Sequence, residues 1–154
     1  MYEFLDWRTH DVMSEDPVTI RPDESLASAQ ERFEKHGFNA LPVVAEDGQL
    51  VGLLTKLDVL RAFSFDDEHM FPPYQEIMAK AAASVMTRDL RTVCPDTPLA
   101  RVLEKLVSLG VKSLPVLDGD RLVGMVSRED VLEALRRASA GERPRGSWNT
   151  DEAS

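Results

Sequence analysis

The sequence has few residues that could form a disulfide or hold zinc. Its 154 residues include one cysteine, Cys94, and three histidines. No internal disulfide is therefore possible, and a cysteine-based zinc site is excluded. Cys94 lies in a short β-branched run without a histidine at a telling position, so we expect a buried structural thiol.

Long apolar runs and targeting signals are also missing. No run approaches the roughly 20 apolar residues that a membrane-spanning helix needs. The segment 1–8 lacks a basic leader followed by an apolar stretch, so it does not resemble a secretion signal. By default, the sequence predicts a cytoplasmic protein that does not bind membranes.

The chain has no excess of positive charge. Its 27 acidic and 18 basic residues give a formal net charge of −9, which repels a phosphate backbone and argues against non-specific nucleic-acid binding. One small anionic ligand is still allowed, because local positive groups in a cleft can outweigh the global field. The 43% of apolar residues is enough to bury a core.

Catalytic motifs are absent from the sequence. It contains no Walker-type loop, no Rossmann glycine pattern and no pairing of a nucleophile with a base. The run 66–69, Asp-Asp-Glu-His, could be interpreted as a metal site, but a charged run in a linker is usually solvated. We therefore predict no catalysis, no metal and no obligatory cofactor.

An internal repeat is the main feature that is present. Residues 12–62 align with residues 85–134 through a single one-residue gap. Identical pairs include Val12/Val85, Met13/Met86, Thr19/Thr92, Leu26/Leu99, Gly37/Gly110, Leu41/Leu114, Pro42/Pro115, Gly52/Gly124 and Asp58/Asp130. The chain is therefore a tandem of two similar units, and the recurring Met13 and Met86 are interpreted as packing residues.

Each repeat predicts the order β-α-β-β-α. The predicted strands are 18–20, 41–44 and 50–54 in the first repeat, and 92–94, 114–117 and 122–126 in the second. The first helix of each repeat ends at Gly37 or Gly110, and Thr97-Pro98 opens the second of them as cap residue and proline. The final helices follow Thr55 and Ser127.

The repeat also predicts the domain boundaries. The first repeat with its leading segment covers 1–72, and the second covers 73–138 with a short alanine-rich linker helix at 74–83. Residues 139–154 lack apolar periodicity and are predicted to form a flexible tail, in which only Trp148 could dock.

Six short motifs in register give the sequence a family resemblance. They are Asp11-Val12-Met13-Ser14, Leu41-Pro42-Val43-Val44 and the run 50–58 in the first repeat, with Ser84-Val85-Met86-Thr87, Leu114-Pro115-Val116-Leu117 and the run 122–130 in the second. The pattern resembles a tandem pair of cystathionine β-synthase-type (CBS) domains, also called a Bateman module, over residues 10–137.

The resemblance implies a fold and a function. The fold is α+β, with two β-α-β-β-α repeats packed about a pseudo-twofold axis that leaves two equivalent clefts. Such modules bind AMP, ADP, ATP, S-adenosylmethionine or related adenosyl ligands, commonly form homodimers, and usually regulate an attached enzyme, channel or transporter. No effector domain is expected in this sequence, so an unidentified effector protein would read the signal.

The strongest site prediction is the pair Thr55/Asp58 with its counterpart Ser127/Asp130. In the family, this aspartate holds the ribose hydroxyls and the hydroxyl residue meets ribose or phosphate. A carboxylate can accept from both cis hydroxyls at once. The alternative is a plain capping box, which needs no ligand, and both roles can coexist.

The remaining candidates lie on strand ends and at helix starts. They are Thr19, Ile20, Ala40, Leu41 and Pro42 in the first repeat, and Thr92, Val93, Ser113, Leu114 and Pro115 in the second. Strand-end backbone groups would sandwich and read an adenine, since proline leaves a carbonyl without its usual ladder partner. The alternative is that these side chains simply form the strand core.

A phosphate would need positive charge. Lys56, Lys112 and Arg128 are the main candidates, with Arg21 and His36 as further ones, and each could equally be a solvated surface charge. The helix starts would add free N–H groups. Because Lys112-Ser113 replaces Asn39-Ala40, we predict that the second cleft holds phosphate more strongly.

Two readings of function remain open. The first is a regulatory module that senses an adenosyl ligand. The second is a dimerising scaffold or protein-interaction module with unoccupied clefts.

Overall fold

The structure is a computed structural model, and it describes residues 2–63 and 73–148. The helices are α1 (Leu26–His36), α2 (Lys56–Ala62), α3 (Tyr74–Met78), α4 (Ala82–Val85), α5 (Leu99–Leu109) and α6 (Arg128–Ser139). The strands are β1 (Ser14–Glu15), β2 (Ala40–Val44), β3 (Leu50–Thr55), β4 (Ser113–Asp118) and β5 (Arg121–Ser127). Two 3₁₀ turns, Tyr2–Asp6 and Thr9–Asp11, precede β1. The acidic run 66–69 and the predicted boundary at 72 lie outside the described residues.

The chain divides into two compact units. One is Val18–Leu90, and the other combines Met1–Pro17 with Arg91–Ser154. This division differs from the boundaries 1–72 and 73–138 predicted from the sequence. The reason is that the segment leading into each repeat packs in the unit of the other repeat.

Backbone hydrogen bonds hold these exchanged segments. In the first unit, Leu26 N–H donates to Lys80 O at 2.9 Å. In the second, Leu99 N–H donates to Trp7 O at 3.0 Å. Leu26 and Leu99 are equivalent in the repeat, so the same connection is made twice.

Helix α1 illustrates how local sequence sets the elements. The Ser25 hydroxyl accepts the Ser28 N–H, and Gly37 ends the helix in the left-handed region at φ 69°. Leu26, Ala29 and Phe33 lie on one face and are buried. The helix therefore ends at the predicted glycine.

Helix α5 begins differently from the prediction. Its N-cap is Pro98, which makes no side-chain capping bond. The Thr97 hydroxyl instead accepts the Cys94 N–H at 2.9 Å. Thr97 thus stabilises the preceding turn and does not cap the helix.

The hairpins form as predicted, but the first strand of each repeat does not. Strands β2 and β3 pair antiparallel, as do β4 and β5, and β1 adds to the free edge of β5. The predicted strands 18–20 and 92–94 are reduced to single parallel bridges, Ile20–Val43 and Val93–Val116. Pro42 and Pro115 have no N–H to continue these ladders.

Each unit buries its own core. In the unit 18–90 the buried residues include Ile20, Leu26, Phe33, Leu41, Leu54 and Met86. In the other unit they include Trp7, Met13, Leu99, Leu114, Val126 and Val131. Met13 and Met86 are buried as predicted.

Two further predictions differ from the structure. The linker helix 74–83 is split into α3 and α4, because Ala81 forms an antiparallel bridge with Ser25. Cys94 is exposed and is not a buried thiol, since its strand is only a single bridge.

The described part of the tail contacts the second unit at Trp148. The Trp148 indole N–H donates to Asp118 Oδ2 at 3.1 Å, and its ring lies 6.0 Å from that of His10. Trp148 thus docks on the second unit, while residues 149–154 lie outside the described part. Within the described ranges, no helix has both the length and the hydropathy needed to cross a bilayer.

Candidate ligand-binding site

Both strand-to-helix junctions form complete capping boxes. Asp58 N–H donates to Thr55 Oγ1 at 3.0 Å, and Thr55 N–H donates to Asp58 Oδ2 at 2.9 Å. In the second repeat the corresponding distances between Asp130 and Ser127 are 3.2 and 2.8 Å. The capping interpretation is therefore confirmed at both junctions, and a ligand would use the capacity that each carboxylate has left.

The Asp58 carboxylate has little capacity left. The residue is 5% exposed, and the Thr87 hydroxyl donates to its two oxygens at 3.1 and 3.3 Å. Arg61 Nη1 lies 4.0 Å from Oδ1. Thr55, Thr87 and Arg61 thus all contact this carboxylate, which is nearly closed to solvent.

Asp130 is held more loosely. Ser14 takes the repeat position of Thr87, but it is exposed on β1 and makes no hydrogen bond to Asp130 among the described residues. Asp130 is half-buried, and Oδ1 accepts no hydrogen bond from the described residues. Burial raises the pKa of the Asp130 carboxyl above its ordinary value of 3.8, against the lowering effect of its hydrogen bonds from Ser127.

Beside Asp130 lies a cavity of about 240 Å³. It is lined by Asp11, Val12, Met13, Glu15, Asp130, Glu133, Arg137 and Arg145. All of these residues belong to the same unit. The corresponding aspartate of the first repeat, Asp58, has no place in it.

Asp11 is the most buried polar residue of this cavity. Its side chain is 0% exposed, and Oδ2 accepts the Arg8 N–H at 2.7 Å. Its Oδ1 has no hydrogen-bond partner among the residues that the structure describes, and His10 Nδ1 lies 3.5 Å from it. A carboxylate oxygen is thus kept buried with a vacant acceptor site.

Sequence reasoning missed most of this lining. Glu133 lies three residues after Asp130 on α6, so helical spacing places it on the same face. Asp11 belongs to the motif 11–14 that carried the resemblance, but not to the predicted site. Arg145 has no sequence signal, since it reaches the cavity only through the docked tail.

The strand candidates come together within each repeat. Ala40 pairs with Thr55, and Ser113 pairs with Ser127. Leu41 and Leu114 are buried in the cores, so their side chains do not offer ligand contacts. The Pro42 and Pro115 carbonyls accept N–H groups of Ile20 and Val93 at 3.0 and 3.1 Å.

Proline still leaves one backbone carbonyl without its ladder donor from β2. In a parallel ladder continued from Ile20, residue 42 would donate to the carbonyl of Val18. Pro42 cannot do so, and the Val18 carbonyl therefore receives no bond from β2. Thr19 and Thr92 flank the two bridges and are half-buried.

The predicted phosphate groups are not gathered around Asp130. Arg128 Nε donates to Val111 O at 2.9 Å, and Arg128 lines a different groove with Leu132 and Leu135. Helix geometry explains this, because residues two apart on a helix point in nearly opposite directions. Lys112 is exposed, and its carbonyl accepts the Arg128 N–H at 3.0 Å.

The first-repeat candidates are also engaged elsewhere. Lys56 Nζ lies 6.0 Å from the Phe33 ring centroid, and Lys56 N–H donates to Asn39 O at 3.1 Å. Arg21 lies within 4 Å of Asp23 and Glu46, and His36 stacks on Phe38. The helix starts therefore offer fewer free N–H groups than the sequence predicts, because the hairpin register and the caps use them.

No metal cluster accompanies the site in the described ranges. Among residues 2–63 and 73–148, no three His, Cys, Asp or Glu side chains are grouped so that they could hold an ion. The carboxylates that line the cavity therefore do not form a group that could hold a metal ion.

The repeat and the paired hairpins have a match among known families. Residues 10–64 and 82–137 each match the family model of the CBS domain. The chain belongs to the CBS domain family. Its tandem repeat is a CBS domain pair.

Two similar curated proteins are longer than this chain. A homoserine O-acetyltransferase of Methanohalobium evestigatum is 33% identical over 127 residues, which cover 81% of this chain and 23% of that protein. An L-aspartate semialdehyde sulfurtransferase of Methanosarcina acetivorans is 31% identical, with 82% and 23% covered. The chain thus spans less than a quarter of these relatives.

Solved structures share the whole fold. A CBS domain pair in complex with 5′-methylthioadenosine and S-adenosyl-L-methionine is 30% identical, with a TM-score of 0.68 over 87% of this chain and 96% of that one. A Methanocaldococcus jannaschii protein is 28% identical, with a TM-score of 0.78 over 84% and 48% of the two chains.

Proposed function

We propose that this CBS pair is a regulatory module that senses an adenosine-containing nucleotide or cofactor. The observation that carries the proposal is Asp130, whose Oδ1 is vacant beside a cavity at a strand-to-helix junction. A carboxylate in this position can accept both cis hydroxyls of a ribose. The 30%-identical CBS pair that was solved with two adenosyl ligands supports the ligand class.

The second repeat is the competent binding site in this proposal. Asp130 needs no rearrangement to meet a ribose, whereas Asp58 would first have to release Thr87. Ser127 caps the same helix as Asp130, and Ser113 pairs with Ser127. In the proposal these two residues and Thr92 complete the site. One ligand per chain is therefore expected.

Regulation, not catalysis, is the proposed role. Ligand binding would shift a conformational equilibrium that an effector protein, or a second copy of this chain, reads. The enzymatic names of the relatives belong to proteins of which the matched region is under a quarter. Their activities are not part of the proposal.

Calorimetry on two matched variants tests the site. Asp130→Ala should lower the affinity for S-adenosylmethionine and AMP by roughly 10- to 100-fold, because charge-assisted hydrogen bonds to the ribose are lost. Asp58→Ala should lower stability but leave affinity within about twofold. Wild type should bind one ligand per chain, with a melting temperature that rises with ligand concentration.

A larger loss of affinity from Asp58→Ala than from Asp130→Ala would contradict the assignment. Stoichiometry of two would contradict the closed state of the first-repeat site. Both results would leave the sensing function intact but move its location.

A dimerising scaffold is the second candidate. Helices α5 and α6 enclose an apolar groove of about 460 Å³, and at its edge Leu132 and Val107 are 65% and 75% exposed. A second copy of the chain could cover this surface. This candidate predicts a dimer at all concentrations and no melting shift with any adenosyl compound, which the same titrations would reveal.

A further inference from the structure

The described part of the tail reverses direction directly after α6. Gly141 takes a left-handed conformation with φ 83°, and its N–H donates to Ala138 O at 3.0 Å. Glu142 N–H donates to Arg137 O at 3.0 Å, and Arg137 Nε donates to the Glu142 carboxylate at 3.1 Å. The two backbone bonds form a Schellman motif, which satisfies the last carbonyls of a helix and turns the chain back.

The returning tail forms part of the cavity beside Asp130. Arg145 lines this cavity together with Asp130, Glu133 and Arg137 of α6. These three helical residues are three and four positions apart, so they share one face of α6. The tail therefore runs back over that face, from Glu142 beside Arg137 to Arg145. A tail side chain and the carboxylate proposed to hold the ribose thus lie at the same cavity.

A single aromatic side chain anchors the tail further on. The Trp148 indole N–H donates to Asp118 Oδ2 at 3.1 Å, its ring lies 6.0 Å from that of His10, and it packs against the core of this unit. Between Glu142 and Trp148, no hydrogen bond or ion pair joins residues 143–147 to other described residues. A segment held at two points opens at a much lower free energy than the core does.

The other walls of the cavity are held more firmly. They belong to the leading segment 11–15 and to α6. The segment is fixed by the pairing of β1 with β5 and by Met13, whose Sδ would lie 2.9 Å from a Cβ on Gly124. Helix α6 buries Val131 and Ala134 in the core. The tail is thus the part of the wall that can move without breaking a strand ladder or unpacking a helix.

The size of the cavity makes such a movement necessary for a ligand. At about 240 Å³ it is smaller than the roughly 300–1,000 Å³ of small-molecule sites. The Asp130 carboxylate is already in place, so a ligand seated on it needs additional room and no new geometry of the aspartate. Withdrawal of Arg145 supplies that room.

We propose that the tail 142–148 is an autoinhibitory strap, which competes with the ligand for the cavity beside Asp130. The inference rests on the proposed function and adds the regulation of that site. Docking of Trp148 holds Arg145 at the cavity, and a bound ligand displaces the tail. The apparent affinity is then the intrinsic affinity multiplied by the fraction of chains whose tail is released.

Tail variants of the full chain test the strap by isothermal titration with S-adenosylmethionine and AMP. Trp148→Ala removes the anchor and should raise the affinity about tenfold, and Arg145→Ala should raise it about fivefold. Arg145 is exposed, so its variant remains informative if Trp148→Ala folds poorly. Arg143→Ala is the matched control, because Arg143 is an exposed tail arginine that does not line the cavity, and it should leave the affinity within about twofold.

Limited proteolysis of the wild type detects the movement itself. Trypsin cleaves after arginine, and Arg145 is followed by Gly146, whereas Pro144 protects the bond after Arg143. When cleavage is slow compared with reclosing, its rate follows the population of released tails. A saturating concentration of either probe should therefore speed cleavage after Arg145, which mass spectrometry of the products measures. Trp148→Ala should have the same effect without ligand.

The outcomes separate the two proposals. Unchanged or lower affinity of Arg145→Ala and Trp148→Ala, or slower cleavage in the presence of ligand, would overturn the strap while adenosyl sensing stands. A lower affinity would mean that the tail is part of the binding site. Binding by the tail variants alone would support both proposals, and absence of binding by wild type and all variants would overturn both.

Discussion

Asp130 combines a capping role with a half-buried charge. Burial raises the pKa of its carboxyl above the ordinary value of 3.8, and the nearby negative charge of Glu129 acts in the same direction. The folded state therefore binds a proton at this site more tightly than the unfolded state does. Wild-type stability gains from this group as the pH falls through the folded-state pKa towards 3.8.

Asp130→Asn should remove that pH dependence. The amide oxygen can still accept the Ser127 N–H, but the buried charge is gone. The variant's stability relative to wild type should be greatest near neutral pH and should decline on acidification through the folded-state pKa. Urea unfolding at several pH values measures this, with Glu104→Gln as the control for loss of an acidic residue. A pH-independent difference would contradict the assigned burial effect.

At the residue scale, the sequence identifies the two equivalent aspartates but not the difference in their burial and hydrogen bonding. The motif Thr55/Asp58 closely matches the motif Ser127/Asp130. Ser14 and Thr87 likewise place a hydroxyl at the same repeat position. Whether a hydroxyl reaches the carboxylate depends on the path of the leading segment, which packing determines. The vacant oxygen of Asp130 therefore emerges only from the structure.

At the scale of the elements, the segment that leads into each repeat packs tightly against a hairpin glycine. A Cβ on Gly124 would lie 2.7 Å from Ser14 O and 2.9 Å from Met13 Sδ. Gly52 has the equivalent neighbours, Met86 and Thr87. Glycine at these strand positions lets a methionine and its backbone lie directly on the hairpin.

Gly124→Ala should therefore destabilise the protein. A backbone oxygen blocks the new methyl group, so β1 must move, at a cost of roughly 1–3 kcal/mol. Gly146→Ala is the matched control, because no atom lies within 4 Å of its added Cβ, and it should change stability by less than about 0.5 kcal/mol. Denaturant unfolding compares the two, and equal midpoints would contradict the close packing of β1.

Most elements follow from local signals in the sequence. The hairpins and the helices α1, α5 and α6 follow from apolar periodicity and glycine stops. The strands 18–20 and 92–94 fail because their neighbours Pro42 and Pro115 lack donors, which appears only once the register is known. The linker helix is interrupted where Ala81 forms a bridge with Ser25, a pairing that also appears only in the folded chain.

At the scale of the whole molecule, the described part of the tail is joined to the second unit through Trp148. Trp148 contacts His10 and Asp118, residues far apart in the sequence, and packs against the core that contains Trp7. The composition of residues 139–154 predicts a loose tail, because Trp148 is the single aromatic residue there and makes the contacts with the fold. The sequence does not reveal the exchange of leading segments either. Both repeats have the same pattern, so it does not show which repeat each segment packs against.

Trp148→Ala should destabilise the unit that contains it by roughly 1–3 kcal/mol, through lost apolar burial and a lost hydrogen bond. Trp148→Phe keeps most of the ring contacts and should cost less. Chemical denaturation measures both variants. Full wild-type stability of Trp148→Ala would mean that the tail contacts add nothing to the fold.

The exchange of segments has a consequence for biosynthesis. Translation delivers residues 1–17 first, yet the strands and helices that enclose Trp7 and Met13 come from residues 91–148. Those two apolar side chains stay uncovered until residues 91–138 have been synthesised. During that interval the nascent chain carries an exposed tryptophan, while the core of the unit 18–90 can already form.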